Sequence, residues 1–248
     1  MDAQLKLPAA TTALFLDFDG TLVDIAERPE LVSVPDDLPE LLQACAGRLQ
    51  GALAIVSGRR LSDVDHFLHP LQLAGAGLHG AELRAVPQAA IEKTTAIDFD
   101  AAAAALRYEL GDLQHELLIE NKSAALAVHY RSHPQHGAAV ERALRRAVES
   151  VSATLGDEVD IVAGKFVFEA RARGVSKGSA VRALMACTPF AGRVPVFVGD
   201  DVTDEDGIRA AQAMGGFGVK VGDGVTAAVH RLRDPHALAA WLRRELGD

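Results

Sequence analysis

Short apolar runs alternate with helix-like patterns over the first and last parts of the chain, and this alternation constrains the fold more than any other feature. The apolar runs include "ALFLDF", "GALAIVSGR" and "VPVFVGDD". Each precedes a segment in which apolar residues recur at helical spacing. Strands that alternate with helices are typical of a parallel sheet with helices on both faces. The sequence therefore predicts an α/β fold with a doubly wound, Rossmann-like parallel sheet.

The middle of the chain breaks this rhythm. It contains a predicted helix, the alternating stretch "LLIENKSAALAVHYRS" that is typical of two antiparallel strands, a second helix and another strand pair. We therefore predict a small α+β unit, inserted as residues 87–172 between core segments 1–86 and 173–248. At the end of the chain, "TAAVHRLRDPHALAAWLRREL" is predicted as one closing helix.

Charge and hydropathy exclude several classes of partner. The 248 residues carry a formal net charge of -9 and no block of basic residues, which argues against a nucleic-acid partner. The longest apolar runs fall far short of the ~20 residues that a membrane span requires, and the first residues do not have the pattern of a secretory signal. Cys45 and Cys187 fit free thiols in a reducing compartment. We therefore expect a cytoplasmic protein without membrane contact and, since no heptad pattern stands out, a monomer.

Polar side chains follow three of the predicted strands. Asp17 and Asp19 follow the first strand, Ser57 follows the second, and Asp200 follows a later one. In an open parallel sheet the ligand crevice lies outside the carboxyl ends of the strands, so these residues should meet in space. Lys177, at the start of a predicted helix, adds an ammonium group to the set.

The acidic run after the later strand indicates a cation. Five acidic residues crowd into residues 200–206 and would repel one another without a positive charge among them. Hard oxygen ligands of this kind favour Mg²⁺. The alternatives are that the Asp-Gly pair is only a turn, that the acidic run caps the next helix, and that Lys177 is a solvated helix start. These alternatives do not explain why every group stands at a strand end or a helix start.

A rival motif, "GDGVTA", fits the glycine spacing of a dinucleotide-binding loop. Such a site requires a following strand with an acidic residue about 20 positions further on. We predict no strand there, because the chain continues as the closing helix. The motif is therefore not interpreted as a dinucleotide site.

Four motifs carry a resemblance to a known superfamily. In order along the chain they are "DFDGT", "VSGR", "SKGSA" and "GDDVTD", and with them the sequence resembles the haloacid dehalogenase superfamily of phosphotransferases. The resemblance implies that Asp17 is a nucleophile that becomes an aspartyl-phosphate and that Asp19 is the general acid and base. It also implies that Ser57 and Lys177 bind the phosphoryl oxygens.

The same resemblance implies a metal set and a cap. Asp17 and Asp200 would hold Mg²⁺ together with the backbone carbonyl of Asp19. Asp201 and Asp204 would lie farther from the ion or bind it more weakly. An insert between the second motif and the lysine is where this superfamily carries a substrate-selecting cap.

The predicted cap carries charged residues on its strands: Glu120, Lys122, Arg131, Lys165 and Glu169. Residues at i and i+2 or i+4 of a strand share a face, so Glu120 and Lys122 should face the same way, as should Lys165 and Glu169. Ordinary surface salt bridges would explain the same pattern.

Stretches beyond the four motifs resemble one family, the trehalose-6-phosphate phosphatases. From residue 14 to about residue 221 the resemblance rests on "ENKSAALAVHYR", "GKFVFEAR", "GLHGAE" and "GDDVTDED". In that family the cap positions matching the five charged residues bind the sugar, which implies a Mg²⁺-dependent phosphatase that releases trehalose and phosphate. The stretch "EARARG" departs from the family because it lacks a frequent proline. The alternatives are a phosphatase or phosphomutase for another sugar phosphate, and a non-catalytic binding protein, which would be expected to lack Asp17 or Asp19.

Overall fold

The computed structural model describes residues 6–26, 28–94, 97, 99–121, 125–151 and 159–247. Contacts divide the chain into two compact units. The first comprises Met1–Glu92 and Ser176–Asp248, and the second comprises Lys93–Val175. The second unit is thus inserted between two segments of the first.

A mixed sheet of eight strands runs through the first unit. The strands are β1 (Thr12–Leu16), β2 (Leu53–Val56), β3 (Ala74–Gly77), β4 (Glu82–Arg84), β5 (Glu92–Lys93), β10 (Val194–Gly199), β11 (Phe217–Val221) and β12 (His230–Leu232). Their order in the sheet is β12-β11-β10-β1-β2-β3-β4-β5. Neighbours pair in parallel from β12 to β3, and β4 is antiparallel to β3. The predicted α/β class with a parallel-dominated sheet is confirmed.

Helices connect and cover these strands. They are α1 (Leu38–Arg48), α2 (Leu61–Phe67), α5 (Lys177–Met185), α6 (Asp204–Ala213) and α7 (Pro235–Leu246). Helix α1 contacts α7, and α5 contacts α6. The central strands are apolar apart from Thr12 at the start of β1 and the buried Lys220 of β11, as expected for a sheet covered on both faces. The core between these layers contains Phe15, Phe197 and Trp241, all fully buried.

The end of the chain differs from the predicted single helix. Residues 222–229 contain no helix, a short strand, β12, follows them, and the helix begins only at Pro235. The side chain of Asp234 accepts a hydrogen bond from the Ala237 N–H at 2.8 Å and caps this helix. Proline disfavours helical geometry in the residue before it, so the Asp-Pro pair sets the boundary. The prediction that no strand follows "GDGVTA" is therefore wrong, but that loop does not lead into the helix that a dinucleotide site requires.

The second unit is an α+β domain with its own core. Its strands are β6 (Leu118–Asn121), β7 (Ala125–His129), β8 (Val159–Gly164) and β9 (Val167–Ala172), and its helices are α3 (Asp100–Leu110) and α4 (Gly137–Ser150). The sheet order is β6-β7-β9-β8, with antiparallel pairing throughout. Leu126, Val128 and Ala170 pack with Leu106 and Leu144 of the helices in one buried cluster. The predicted helix, strand pair, helix, strand pair order is confirmed.

Within the residues that the structure describes, no helix has both the length and the apolar character needed to span a membrane.

Candidate active site

Two neighbouring parallel strands place acidic residues at the same edge of the sheet. Strand β1 ends one residue before Asp17, and β10 ends one residue before Asp200. The strands run in parallel with Leu16 opposite Val198, and the Asp17 N–H donates to the Val198 carbonyl at 3.0 Å. The carboxyl ends of these two neighbouring strands thus bring Asp17 and Asp200 close together.

Lys177 joins this cluster from the start of helix α5. Its Nζ donates to Asp17 Oδ1 and to Asp204 Oδ1, each at 2.6 Å, although the residue is only 3% exposed. Ser176 fixes the start of the helix, because its hydroxyl accepts the Ser179 N–H at 3.2 Å and the Ser179 hydroxyl accepts the Ser176 N–H at 2.9 Å. The capped N-terminus of α5 therefore positions the Lys177 ammonium group next to Asp17, the candidate nucleophile.

Asp204 organises the acidic loop. While its Oδ1 accepts from Lys177, its Oδ2 accepts the N–H groups of Asp200 at 3.0 Å and Asp201 at 2.8 Å. The residue is fully buried, and a Cβ at Gly199 would collide with it at 2.3 Å. Both carboxylate oxygens are thus engaged by the protein, which identifies Asp204 as a support for the loop. Sequence reasoning left this role open.

Burial makes the acidic residues hard to ionise. It raises the pKa of Asp17 well above its usual value, and the charges of Asp204 and Asp200 raise it further, while Lys177 opposes the rise. Burial and the Asp204 charge also raise the pKa of Asp200 from 3.8 to about 6, against the opposing charges of Lys177 and Lys220. Burial alone would lower the pKa of Lys177, but the charges of Asp17 and Asp204 raise it well above its ordinary value. Ionising both Asp17 and Asp200 in this buried cluster is therefore unfavourable without a further positive charge.

The donor set fits a hard divalent cation. Carboxylate oxygens of Asp17, Asp200 and Asp204 lie within 4.8 Å of one another. The Thr21 hydroxyl lies 3.3 Å from Asp17 Oδ2 and 3.2 Å from Asp200 Oδ1, so it bridges the two carboxylates. Gly20, with φ of +80°, leaves room for Asp200, since a Cβ there would lie 2.3 Å from Asp200 Oδ2. Since Asp204 is already engaged, Asp17 and Asp200 are the side chains that fit Mg²⁺.

Asp19 is held by a residue that sequence reasoning missed. Arg59 donates from Nε and one terminal nitrogen to the two carboxylate oxygens of Asp19, at 2.6 Å and 2.7 Å. The guanidinium lies 5.7 Å from the centre of the Phe18 ring and 4.9 Å from that of Phe67, in cation–π contacts. The Arg59 N–H also donates to the Ser57 hydroxyl at 3.1 Å. A basic residue directly after "SG" was the available sequence signal.

The predicted cap residues fall into two groups. Glu120 on β6 and Glu169 on β9 share one face of the cap sheet, each in register with Ala127 of the strand between them. Arg131 and Lys165 are exposed and adjoin Tyr130 and Phe166, which are joined by a backbone hydrogen bond of 2.9 Å. Both residues therefore lie at one end of the sheet.

Of the expectations about the predicted cap, one is wrong and another concerns a residue outside the described part of the chain. Lys165 lies in the turn between β8 and β9 and not on a strand, so the prediction that it shares a strand face with Glu169 is wrong. The segment 164–167 makes a tight connection whose length the alternation pattern could not reveal. Lys122, predicted to share a face with Glu120, lies outside the described residues.

His129 is a further cap residue that sequence reasoning missed. Its Nε2 lies 2.8 Å from Glu120 Oε2 on the neighbouring strand, with both side chains partly exposed. Glu120 pairs with Ala127, two residues before His129, so all three lie on the face that carries Glu169. The sheet of the second unit thus carries two carboxylates and an imidazole on the face opposite its helices, with Glu169 only 9% exposed.

Comparisons with known proteins identify the family of the chain. The profile of the trehalose-phosphatase family matches residues 15–230. The chain is 37% identical over 238 residues to the trehalose-6-phosphate phosphatase of Escherichia coli (strain K12), covering 94% of this chain and 86% of that protein. It is 40% identical over 217 residues to a probable trehalose-phosphate phosphatase of Sinorhizobium fredii (strain NBRC 101917 / NGR234), covering 87% of this chain and 80% of that protein.

The fold is also similar to that of a solved structure. The crystal structure of a trehalose-6-phosphate phosphatase related protein superposes with a TM-score of 0.72 at 27% identity, covering 94% of this chain and 96% of the other. The family profile spans most of the sequence, and both relatives exceed 30% identity over most of their lengths. The chain therefore belongs to the trehalose-phosphatase family.

Proposed function

We propose that this protein hydrolyses trehalose 6-phosphate to trehalose and inorganic phosphate, with Mg²⁺ as cofactor. The observation that carries the proposal is the buried contact between Lys177 and Asp17, which lies beside Asp200 at the carboxyl ends of the strands. A buried carboxylate next to an ammonium and a candidate cation site suits attack on an anionic phosphoryl group. The names of the two bacterial relatives supply the substrate.

The first half of the reaction transfers the phosphoryl group to the protein. A carboxylate oxygen of Asp17 attacks phosphorus, and the bond between phosphorus and the sugar oxygen breaks as the aspartyl-phosphate bond forms. Asp19 donates a proton to the departing sugar oxygen, so trehalose leaves as a neutral alcohol. Lys177 and Ser57 bind the phosphoryl oxygens and hold phosphorus in line with Asp17.

The second half regenerates the carboxylate. Asp19, now ionised, takes a proton from water as the water oxygen attacks phosphorus, and the bond between phosphorus and Asp17 breaks to release phosphate. In the structure Arg59 donates to both carboxylate oxygens of Asp19, so Asp19 must release at least one of these contacts before it can carry the proton that it donates. Mg²⁺, which Asp17, Asp200 and the backbone carbonyl of Asp19 would hold, supplies positive charge that offsets the negative charge of the phosphoryl group.

The cap domain, proposed as residues 87–172 between core segments 1–86 and 173–248, would bind the sugar. Glu120, Lys122, Arg131, Lys165 and Glu169 are the proposed sugar-binding residues. Carboxylates accept and cations donate several hydrogen bonds each, which suits the many hydroxyls of a disaccharide. The shared face of Glu120 and Glu169 supports this role, whereas the role of Lys122 rests on the sequence alone.

The remaining proposals concern where and with what the protein acts. A small sugar phosphate would be its partner, and the net charge of -9 supports the absence of a nucleic-acid partner. The free thiols Cys45 and Cys187 support a cytoplasmic location, and we propose a monomer without membrane contact.

Phosphate release from trehalose 6-phosphate, with Mg²⁺ and with EDTA, tests the proposal. We expect release with Mg²⁺, none with EDTA, and none from Asp17→Asn, whose circular dichroism spectrum should match that of the wild type. Substantial release by Asp17→Asn would remove Asp17 as the nucleophile. Release that persists in EDTA would remove Mg²⁺ as the cofactor.

A further inference from the structure

A second buried lysine lies next to the candidate cation site. Lys220 belongs to β11, whose sequence is otherwise apolar or glycine, and it is only 4% exposed. Its register partner on β10 is Gly199, the residue before Asp200. Burying an ammonium group is costly unless other groups compensate its charge, so this position requires a physical reason.

The ammonium of Lys220 joins the carboxyl ends of two strands. Its Nζ donates to the backbone carbonyl of Asp200 and to the carbonyl of Val221, the latter at 2.8 Å. Within the described part of the chain, Lys220 forms no ion pair with a carboxylate. The ammonium group is therefore held by two backbone carbonyl groups, one of which belongs to Asp200.

The Asp200 backbone is thus held on both sides of its side chain. Asp204 Oδ2 accepts its N–H at 3.0 Å, and Lys220 donates to its carbonyl oxygen. With both peptide groups engaged, the Asp200 carboxylate is directed to the Thr21 hydroxyl, which it approaches at 3.2 Å, and to the Asp17 side. Asp204 was expected from the acidic motif, but Lys220 belongs to no motif.

We propose that Lys220 is a positioning residue for the cation site: by donating to the Asp200 carbonyl it fixes the Asp200 peptide and thereby the direction of the Asp200 carboxylate. This inference rests on the proposed function, because it takes Mg²⁺ as the cation. Groups that orient metal ligands without touching the metal contribute about 10–100-fold to metal affinity. Loss of Lys220 should therefore weaken Mg²⁺ binding.

Titration calorimetry of the full chain with Mg²⁺, without substrate, tests the proposal. Lys220→Met keeps the length of the side chain and removes its charge and donors, so we expect Mg²⁺ affinity to fall by about 10–100-fold. Lys220→Arg should recover part of the affinity, since it keeps a charged donor. Lys6→Met, at an exposed lysine, serves as the matched control and should bind Mg²⁺ like the wild type.

Activity gives an independent readout. In Lys220→Met the Mg²⁺ concentration for half-maximal phosphate release should rise by the same factor, with most of the activity recovered at saturating Mg²⁺. If Lys220→Met does not fold, Lys220→Gln replaces it. Its neutral donor ends one atom short of the Lys220 Nζ and should hold the Asp200 carbonyl less well, so Mg²⁺ affinity should still fall, but by less than in Lys220→Met.

The outcomes separate this inference from the proposed function. A wild-type Mg²⁺ affinity in Lys220→Met, with only a lower unfolding temperature, would overturn the inference and leave the proposed function in place. Failure of the wild-type chain to bind Mg²⁺ would overturn the cofactor of the proposed function and this inference with it.

Discussion

At the scale of single residues, the site depends on carboxylates that the fold buries. Asp17 is 4% exposed and Asp204 is fully buried, and both contact Lys177. Burial and the neighbouring carboxylate charges raise the pKa of both Asp17 and Asp200, and Lys177 opposes this rise only in part. A cation at this edge of the sheet would therefore favour the ionised form of these carboxylates.

The raised pKa of Asp200 makes a prediction about pH. Burial and Asp204 raise this pKa from 3.8 to about 6. A carboxyl with a raised folded-state pKa stabilises the fold below its unfolded pKa, and this contribution is lost as the pH rises through the folded pKa. In metal-free protein, the stability of the wild type relative to Asp200→Asn should therefore fall between about pH 4 and about pH 6.

Urea unfolding of both proteins in EDTA, at several pH values from 4 to 7, measures this difference. Added Mg²⁺ should then stabilise the wild type more at pH 7 than at pH 5, because protons compete with the cation for the carboxylates. A difference between the two proteins that does not change with pH would contradict the description of Asp200.

Asp19 carries a second prediction at this scale. Proton transfer by a positioned carboxyl contributes about 10²–10⁴-fold to a rate, so Asp19→Asn should lower kcat by an amount in that range. Steady-state phosphate release measures it, with Asp36→Asn, at an exposed position, as the control. An Asp19→Asn rate within a factor of about two of the wild type would exclude the acid–base role.

Residue-level chemistry was partly readable from the sequence. Asp17, Asp200 and Lys177 could be grouped because strand ends and a helix start share one edge of a parallel sheet. The roles of Arg59 and Lys220 could not, since nothing in the sequence shows that Arg59 contacts Asp19 or that Lys220 contacts the Asp200 carbonyl. Neither contact follows from a pattern within one element.

At the scale of elements, the boundaries determine which side chains reach the site. Lys177 is the first residue of α5, and the reciprocal hydrogen bonds of Ser176 and Ser179 fix that start. The sequence placed Lys177 at a helix start correctly. The predictions for Lys165 and for β12 were wrong. Lys165 lies in a short turn through which the strand alternation continues, and the proline at the start of α7 marks a helix boundary that the single predicted helix did not include.

The Ser176 cap gives a prediction for this element. Replacing an N-cap serine by alanine costs about 1 kcal/mol, so Ser176→Ala should lower the free energy of unfolding by about that amount. Urea denaturation measures the change, and Ser62→Ala, at an exposed serine that caps no helix, should stay close to the wild type. Equal stability of Ser176→Ala and the wild type would mean that the cap does not hold the α5 start.

At the scale of the whole molecule, we propose that catalysis and substrate choice lie in different units. The first unit contains the proposed phosphoryl-transfer residues, and the second carries Glu120, His129 and Glu169 on one sheet face. Membership in the trehalose-phosphatase family could be predicted from the four motifs together with the sequence stretches of the inserted unit. The motifs of the first unit alone would have left the sugar undetermined, because they serve phosphoryl transfer in general.

The most direct test of the central claim is kcat/KM for trehalose 6-phosphate, sucrose 6-phosphate, glucose 6-phosphate and an aryl phosphate, for the wild type and Glu120→Ala. Glu141→Ala, on an exposed pair of α4, is the matched control. We predict that trehalose 6-phosphate is preferred by orders of magnitude and that Glu120→Ala reduces this preference while sparing the aryl phosphate. Preference for another sugar phosphate, or equal losses on both substrates in Glu120→Ala, would contradict the account.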